Sequence, residues 1–273
     1  MSRRTPPLAV ALLSQAAGSA ALLLAALLLG EAPDALAIAW GAAAGVMNGF
    51  AYGLYMQGLA RGKMGVVSTL TAVWSALVPV LAGLVQGERP GGLAVSGAAA
   101  VLVGVALVSA GKGGTLSPGR RGGRAPGRGG RGWPQMFGPG LAEGTLAGVC
   151  YGLAFVLLKQ AGSGGTLWPA LATNAAAAAL LGAALWAVRS PIGPAVPYWP
   201  MVAGMGLLHA LAVVGFVLAT REGMLSIVSV VANLGPAPTT LLAWRLAGET
   251  LQPSQTWGII LGLAGIALLT AAA

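Results

Sequence analysis

The feature that most constrains this chain is a succession of long apolar runs that carry almost no charge. Hydrophobic residues make up 56% of the 273 residues and charged residues only 8%, whereas globular proteins carry about 25% charge. A helix that spans a bilayer needs about 20 mostly apolar residues. Nine runs approach or exceed this length: 8–30, 36–60, 64–86, 92–110, 140–160, 166–188, 199–219, 224–247 and 255–272. They are too long, and alternate too weakly, for membrane strands, so the sequence predicts an all-α membrane protein with about nine transmembrane helices.

The chain also contains an internal duplication. The stretch 64–110 is repeated as 224–271, and each copy is an apolar run interrupted by proline that reaches a Gly-Glu pair before it resumes. The copies close on matching segments, 102–110 and 263–271, in which five of nine positions are identical. A duplicated hydrophobic unit is the usual build of a secondary transporter.

The duplication divides the chain into three parts. A first repeat of four helices covers 1–110, a Gly/Arg-rich loop covers 111–139, and a second repeat of five helices covers 140–273. The helix at 140–160 has no counterpart, so either the first repeat has lost its opening helix or the true start lies upstream. Corresponding helices are five apart, an odd number, and therefore cross the membrane in opposite senses. Such inverted-topology repeats place a binding site at their interface near the bilayer midplane.

Alignment of the two halves pairs polar residues that lie inside apolar helices. Asn48 lies opposite His209, the only histidine, and Gln15 lies opposite Asn174. Polar groups at this depth are expensive and often serve function. The alternative is that each one hydrogen-bonds to a neighbouring helix, a contact that contributes about 0.6 kcal/mol in membranes. We predict all four as substrate-binding residues.

The run 224–247 predicts a broken helix. Pro236 and Pro238 lack a backbone donor, so the helix should bend or unwind near Asn233–Pro238 and turn its freed carbonyls toward protein or a water-lined cavity. This adds Asn233 to the predicted substrate-binding residues, although a kinked packing helix is the alternative. Trp74 is its looser counterpart in the first repeat and is included, although a tryptophan packs more often in a core.

The charged residues inside the predicted helices lie near helix ends. Lys159 is close enough to an end for its ammonium group to reach the interface. The absence of a carboxylate deep in any helix favours facilitated transport, or an unusual proton carrier, over ordinary proton coupling. The sequence contains no carboxylate pair, no metal-ligand cluster and no nucleophile beside a base, and Cys150 is its single cysteine. We therefore predict no catalysis, no cofactor and no metal.

The central loop at 111–139 contains the densest run of positive charge, an Arg-Gly-rich segment from Gly119 to Gly132. It has no apolar content around which to fold and is predicted to be disordered. Arg-Gly repeats can bind single-stranded nucleic acid. Beside membrane spans, contact with anionic lipid headgroups is the better interpretation, at about 1 kcal/mol per basic residue, and we expect no nucleic-acid partner.

The two halves resemble the EamA-type members of the drug/metabolite transporter superfamily. Each half has a mid-helix proline, a closing Gly-Glu and a last helix that ends Gly-x-Ala-Leu, most clearly over 60–110 and 218–271. The segment Thr166-Leu167-Trp168-Pro169 is also similar. The resemblance implies a multi-pass carrier in the plasma membrane that moves a small organic metabolite by alternating access, often outward. A homodimer is compatible with it.

Two features depart from the pattern of this family. Gln15 and Asn174 stand near the place where many relatives have an arginine, and Gly235 precedes Pro236 where an aromatic residue is common. The family's substrates therefore do not transfer to this chain. The alternative function is a membrane scaffold without transport, which would need no hydrated cavity at the midplane.

The distribution of basic residues predicts the orientation. With nine spans, one side of the membrane receives 12 of the 15 basic residues, among them Arg3, Arg61 and those of the central loop. Because lysine and arginine are enriched in cytoplasmic loops, this side should be the cytoplasm and the C-terminus should lie outside. The family resemblance implies the reverse position for the loop, since ten-helix relatives commonly keep both ends in the cytoplasm. We favour the charge distribution.

Overall fold

The computed structural model describes residues 7–62, 64–110, 140–189, 198–235, 237, 238, 241, 244, 245 and 252–272. All regular structure in these residues is helical. The helices are α1 (Pro7–Leu29), α2 (Ala35–Arg61), α3 (Met64–Val85), α4 (Gly92–Ala110), α5 (Leu141–Ala161), α6 (Leu167–Ala187), α7 (Trp199–Glu222), α8 (Leu225–Ala232) and α9 (Pro253–Ala272). The loop predicted to be disordered, 111–139, lies outside the described residues.

Most of these helices have the length and composition of membrane spans. Among the described residues, seven qualify, namely α1, α2, α3, α5, α6, α7 and α9, and α4 is apolar but shorter. Their bounds agree with the predicted runs to within a few residues, which confirms the all-α interpretation. The remaining predicted span, 224–247, is described only in part.

The predicted break in that span is confirmed. Helix α8 ends at Ala232, a turn follows over residues 233–235, and helical residues resume at Ala237. The cause is chemical, because a proline has no N–H with which to bond the carbonyl one turn before it. Pro236 and Pro238 thus remove the regular donors for the carbonyls of Ala232 and Leu234. Ala237 donates to the Leu234 carbonyl instead, at 2.9 Å.

The two halves of the chain are interleaved. Helix α1 packs against α6 and α7, α2 against α5 and α6, α3 against α5 and α8, and α4 against α9. The largest core cluster accordingly joins side chains of both halves: Leu22, Ala44, Leu158, Ala161, Ala170, Ala210, Val213, Phe216, Val217 and Leu225. Any cavity in this core is therefore bounded by residues from both halves.

Two helix crossings repeat the same contact. A Cβ at Gly45 of α2 would fall on the carbonyl oxygen of Thr173 in α6, and a Cβ at Gly206 of α7 would fall on the carbonyl oxygen of Ser14 in α1. Only glycine permits this close approach of two backbones. Ser14 and Thr173 immediately precede Gln15 and Asn174, and Gly45 and Gly206 lie three residues before Asn48 and His209. The contacts therefore follow the alignment of the two halves.

Carboxylates hold one end of the bundle together. Glu31, beyond α1, accepts hydrogen bonds from the backbone N–H groups of Thr166, Leu167 and Trp168 at 2.9, 2.8 and 3.2 Å. Negative charge is stabilised at a helix N-terminus, where N–H groups lack partners within the helix. Glu88, beyond α3, does the same for α8. We call this the Glu31 end of the bundle.

The opposite end carries an ion pair between α2 and α5. The guanidinium group of Arg61 donates to the Glu143 carboxylate at 2.9 Å, and Arg61 is 63% exposed. Helices α1, α3, α5 and α7 begin at this end, and α2 and α6 finish there. We call it the Arg61 end.

Candidate functional site

Three of the predicted site residues meet at one cavity. Its volume is about 280 Å³, and Gln15, Asn48 and His209 all lie in its wall. They come from α1, α2 and α7, so the fold brings together residues that are far apart in the chain. Ser14 of α1, Tyr52 of α2 and Tyr151 of α5 complete the polar lining. We call this the first cavity.

Gln15 and His209 contact each other in the first cavity. The Gln15 amide Nε2 lies 3.4 Å from Nε2 of the His209 ring, so in this arrangement the amide donates and the imidazole accepts. The other amide atom, Gln15 Oε1, is buried and has no hydrogen-bond partner. A buried carbonyl oxygen without a donor carries a desolvation cost that a bound ligand could relieve.

A second cavity lies on the other side of Tyr151. Its volume is about 310 Å³, and its polar wall consists of Tyr55, Ser68, Thr71, Ser75, Tyr151 and Asn233. The Ser75 hydroxyl donates to Asn233 Oδ1 at 2.6 Å, and the Asn233 amide donates to the Ser229 carbonyl at 2.8 Å. These bonds fix the Asn233 side chain at the point where α8 breaks. The break thus faces a cavity, as predicted.

The tyrosines were not among the predicted site residues, yet three of the chain's four gather here. Tyr52 lines the first cavity, Tyr55 the second, and Tyr151 both. A signal was available in the sequence, because Asn48, Tyr52 and Tyr55 have the four- and three-residue spacing that puts side chains on one face of a helix. The position of Tyr151 in both cavity walls could not be predicted from sequence, because it depends on the packing of α5 against α2.

Asn174 and Trp74 do not line either cavity. Asn174 is fully buried in α6, and neither its amide nitrogen nor its amide oxygen has a hydrogen-bond partner. Trp74 is half-buried on α3, where its Cβ lies so close to Gly148 of α5 that a side chain there would clash. Trp74 therefore approaches α5 at its Cβ and lines neither of the two cavities.

The described lining of both cavities contains no aspartate, glutamate, lysine or arginine. The two charged residues of α5 are engaged at its ends, Glu143 with Arg61 and Lys159 with Glu88. A third space of about 500 Å³, lined by apolar groups of α1, α2 and α6 with Gln57, adjoins the first cavity at Gly49 and Leu181. The described residues also include no cluster of three or more metal-binding side chains.

The Lys159–Glu88 pair ties three elements together at the Glu31 end. Lys159 Nζ donates to Glu88 at 2.6 Å, and the same carboxylate accepts from the backbone N–H groups of Leu225 and Ser226 at 2.6 and 3.0 Å. Burial opposes the carboxylate charge, but the hydrogen bonds from Lys159, Ser226 and Leu225 together lower the pKa of Glu88 below its ordinary value. Lys159 is thus the ion-pair partner of Glu88.

Comparison with known proteins identifies the fold. The sequence profile of the EamA-like transporter family matches residues 1–110 and 139–271. A solved crystal structure of a protein is similar over 99% of this chain and 89% of its own, with a TM-score of 0.77 and 18% identity. No curated protein matches the sequence. At this identity the structural likeness concerns the fold alone.

Proposed function

Because the chain belongs to the EamA-like transporter family, we propose that it carries a small organic molecule across its membrane by alternating access. The family and the seven apolar helices make it a multi-pass membrane protein. The observation that carries the proposal is the pair of polar cavities on either side of Tyr151, whose walls come from both halves of the chain. A scaffold without transport would need no such space, and the unpaired polar groups in its walls would only destabilise it, because such groups are costly in the membrane interior.

Alternating access follows from two halves that cross the membrane in opposite senses. Successive glycines of α2, at Gly41, Gly45 and Gly49, meet Pro169, Thr173 and Leu180 of α6 in the same order. Helices α2 and α6 therefore run in the same direction. Helix α1 runs opposite to α2, because a short turn joins the two, and so it also runs opposite to α6. Since α6 corresponds to α1 in the alignment, this direction supports inverted-topology repeats with nine spans.

The arrangement of the cavities supports a conformation open toward the Arg61 end. Most lining residues lie at mid-helix or in the half nearer that end, among them Gln15, Ser68 and His209. The opposite end is closed by the contacts of Glu31 and Glu88. If the Arg61 end is cytoplasmic, as the basic residues predict, the cavities receive substrate from the cytoplasm. We therefore propose an exporter in the plasma membrane.

Transport in reconstituted vesicles tests this function. With a metabolite panel as the source of substrate, Asn48→Leu and Asn233→Leu are each expected to lower the flux at least about tenfold, because each removes a polar group from a cavity wall. Leu208→Ala is the control, since Leu208 is 70% exposed on α7 and lines neither cavity. Equal flux through all variants, or no flux of any metabolite above that of empty vesicles, would overturn the proposal.

A further inference from the structure

The charge of the site is its most specific chemical property. Both cavities lie at membrane depth and are bounded by amide, hydroxyl, phenol and imidazole groups, with no fixed charge in the described lining. Within the span 224–247, the residues that the structure does not describe are uncharged, namely Pro236, Thr239, Thr240, Leu242, Ala243, Leu246 and Ala247. The described lining of the two cavities therefore offers no side-chain ion to neutralise a charged ligand.

The charged residues of α5, the helix that carries Tyr151 into both cavities, are already engaged. Glu143 and Lys159, the two ions of α5, are held by Arg61 and Glu88 at opposite ends of that helix. Moving either one to a ligand would leave its partner without a counter-ion. Taking an ion out of water into a site without an opposite charge carries a penalty that hydrogen bonds alone rarely offset.

The first cavity contains a hydrogen-bond acceptor that has no donor. Gln15 Oε1 is buried without a partner beside His209, and it can only accept. In the second cavity, Asn233 Oδ1 already accepts from Ser75, whereas Gln15 Oε1 in the first cavity is buried without a donor. An N–H or O–H group of a ligand would satisfy it. Tyr52 and Tyr151 line the same cavity and add aromatic rings to its wall.

We propose that the transported molecule is uncharged at neutral pH, is small and planar, and donates a hydrogen bond to Gln15 Oε1 in the first cavity. This inference rests on the proposed transport function and specifies its substrate class. The volume of about 280 Å³ suits a ligand of one ring with an amide or hydroxyl substituent. Carboxylates and ammonium compounds of the same shape would have to enter without a counter-ion in the described lining, which disfavours them.

A matched ligand series separates charge from shape. Binding to the purified protein is measured for nicotinamide, nicotinate and 1-methylnicotinamide, and for benzamide, benzoate and benzylammonium, which carry no charge, a negative charge and a positive charge on related rings. We expect measurable binding of at least one neutral amide, and binding of its ionic analogues that is weaker by at least about a hundredfold. A tighter carboxylate or cation, or failure of both amides to bind, would overturn the substrate class.

Two variants locate the binding. Gln15→Leu should weaken binding of the neutral amide about five- to tenfold by removing the acceptor. Gln15→Glu should reverse the selectivity between the amide and the cationic analogue, because it supplies the missing counter-charge. Gln57→Glu is the matched control, since it adds the same charge in the adjoining apolar space. A reversal by Gln57→Glu, or unchanged selectivity in Gln15→Glu, would remove Gln15 from the site.

The substrate class and the transport function fail in different ways. Flux of a charged compound that is abolished by Asn233→Leu would overturn the uncharged class and leave transport intact. Tight binding of the neutral amide without flux of that compound in vesicles would retain the class as a ligand and overturn transport.

Discussion

At the scale of residues, the membrane changes the value of a hydrogen bond. A bond such as Ser75 to Asn233 at 2.6 Å adds only about 0.6 kcal/mol on average, because the unfolded chain in the membrane also finds partners. Its importance is therefore geometric, since it holds an amide at the break in α8. Asn174 is the contrasting case, a fully buried amide whose two polar atoms have no partner.

The contrast between the two asparagines gives a prediction about stability. Asn174→Ala removes an amide that makes no hydrogen bond, whereas Asn233→Ala removes one that bonds to Ser75 and Ser229. The free energy of unfolding of Asn174→Ala should therefore exceed that of Asn233→Ala by about 1–2 kcal/mol. Unfolding by denaturing detergent in mixed micelles measures both. A less stable Asn174→Ala variant would mean that this amide has a partner in the dominant state.

Depth in an apolar helix predicted positions in a cavity wall for four of the five polar residues that it marked, Asn174 being the exception. Gln15, Asn48, His209 and Asn233 are polar residues within apolar helices, and each lies in a cavity wall. Tyr151 and Ser75 could not be found in this way, because tyrosine and serine are common in spans and their role depends on which helix lies opposite. Trp74 shows a related limit, because its position within an apolar helix does not reveal that it packs against Gly148.

At the scale of elements, helix ends organise the bundle. The Gly-Glu pair that marks the duplication has a physical role in its first copy, where Gly87 adopts a positive φ of 88° and Glu88 turns back to the N-terminus of α8. The positive φ favours glycine because it has no Cβ. The proline break in α8 was predictable for an equally local reason, the missing N–H. The pairing of Glu88 with Lys159 was not, because it joins elements 71 residues apart.

The two ion pairs of α5 should differ in their contribution to stability. The Lys159–Glu88 side chains are only 24% and 10% exposed, whereas Arg61 is 63% exposed. Lys159→Gln should lower the free energy of unfolding by about 1–3 kcal/mol, because it leaves the Glu88 carboxylate without its cation. Arg61→Gln is the control, and its effect should be much smaller.

The pH dependence of that stabilisation has a definite sign. The folded-state pKa of Glu88 is lowered, so its contribution is complete above the pKa of the unfolded chain and is lost as the pH falls through the lower folded value. The difference between wild type and Lys159→Gln should therefore shrink in acid. An equal effect of Arg61→Gln and Lys159→Gln, or a difference that grows in acid, would contradict the assignment.

At the scale of the whole molecule, close packing between the two halves explains why the fold needs few charged residues. Close crossings at Gly45 and Gly206 let backbones touch where side chains would hold them apart, and such packing replaces the hydrophobic driving force that lipid does not supply. The duplication in the sequence anticipated this correspondence but not the contacts between helices. Direction in the membrane is a separate property, since the bundle itself is the same whichever end faces the cytoplasm.

The orientation can be tested with single cysteines at the two ends of the bundle. Cys150 is first replaced by serine, and Gln86→Cys or Arg189→Cys is then introduced at exposed positions, the first at the Glu31 end and the second at the Arg61 end. If the 12 basic residues on one side face the cytoplasm, a membrane-impermeant maleimide should label Gln86→Cys in intact cells. Arg189→Cys should react only after lysis. The opposite pattern would put the Arg61 end outside, restore the orientation implied by the family, and turn the proposed exporter into a carrier whose cavities fill from the outer side.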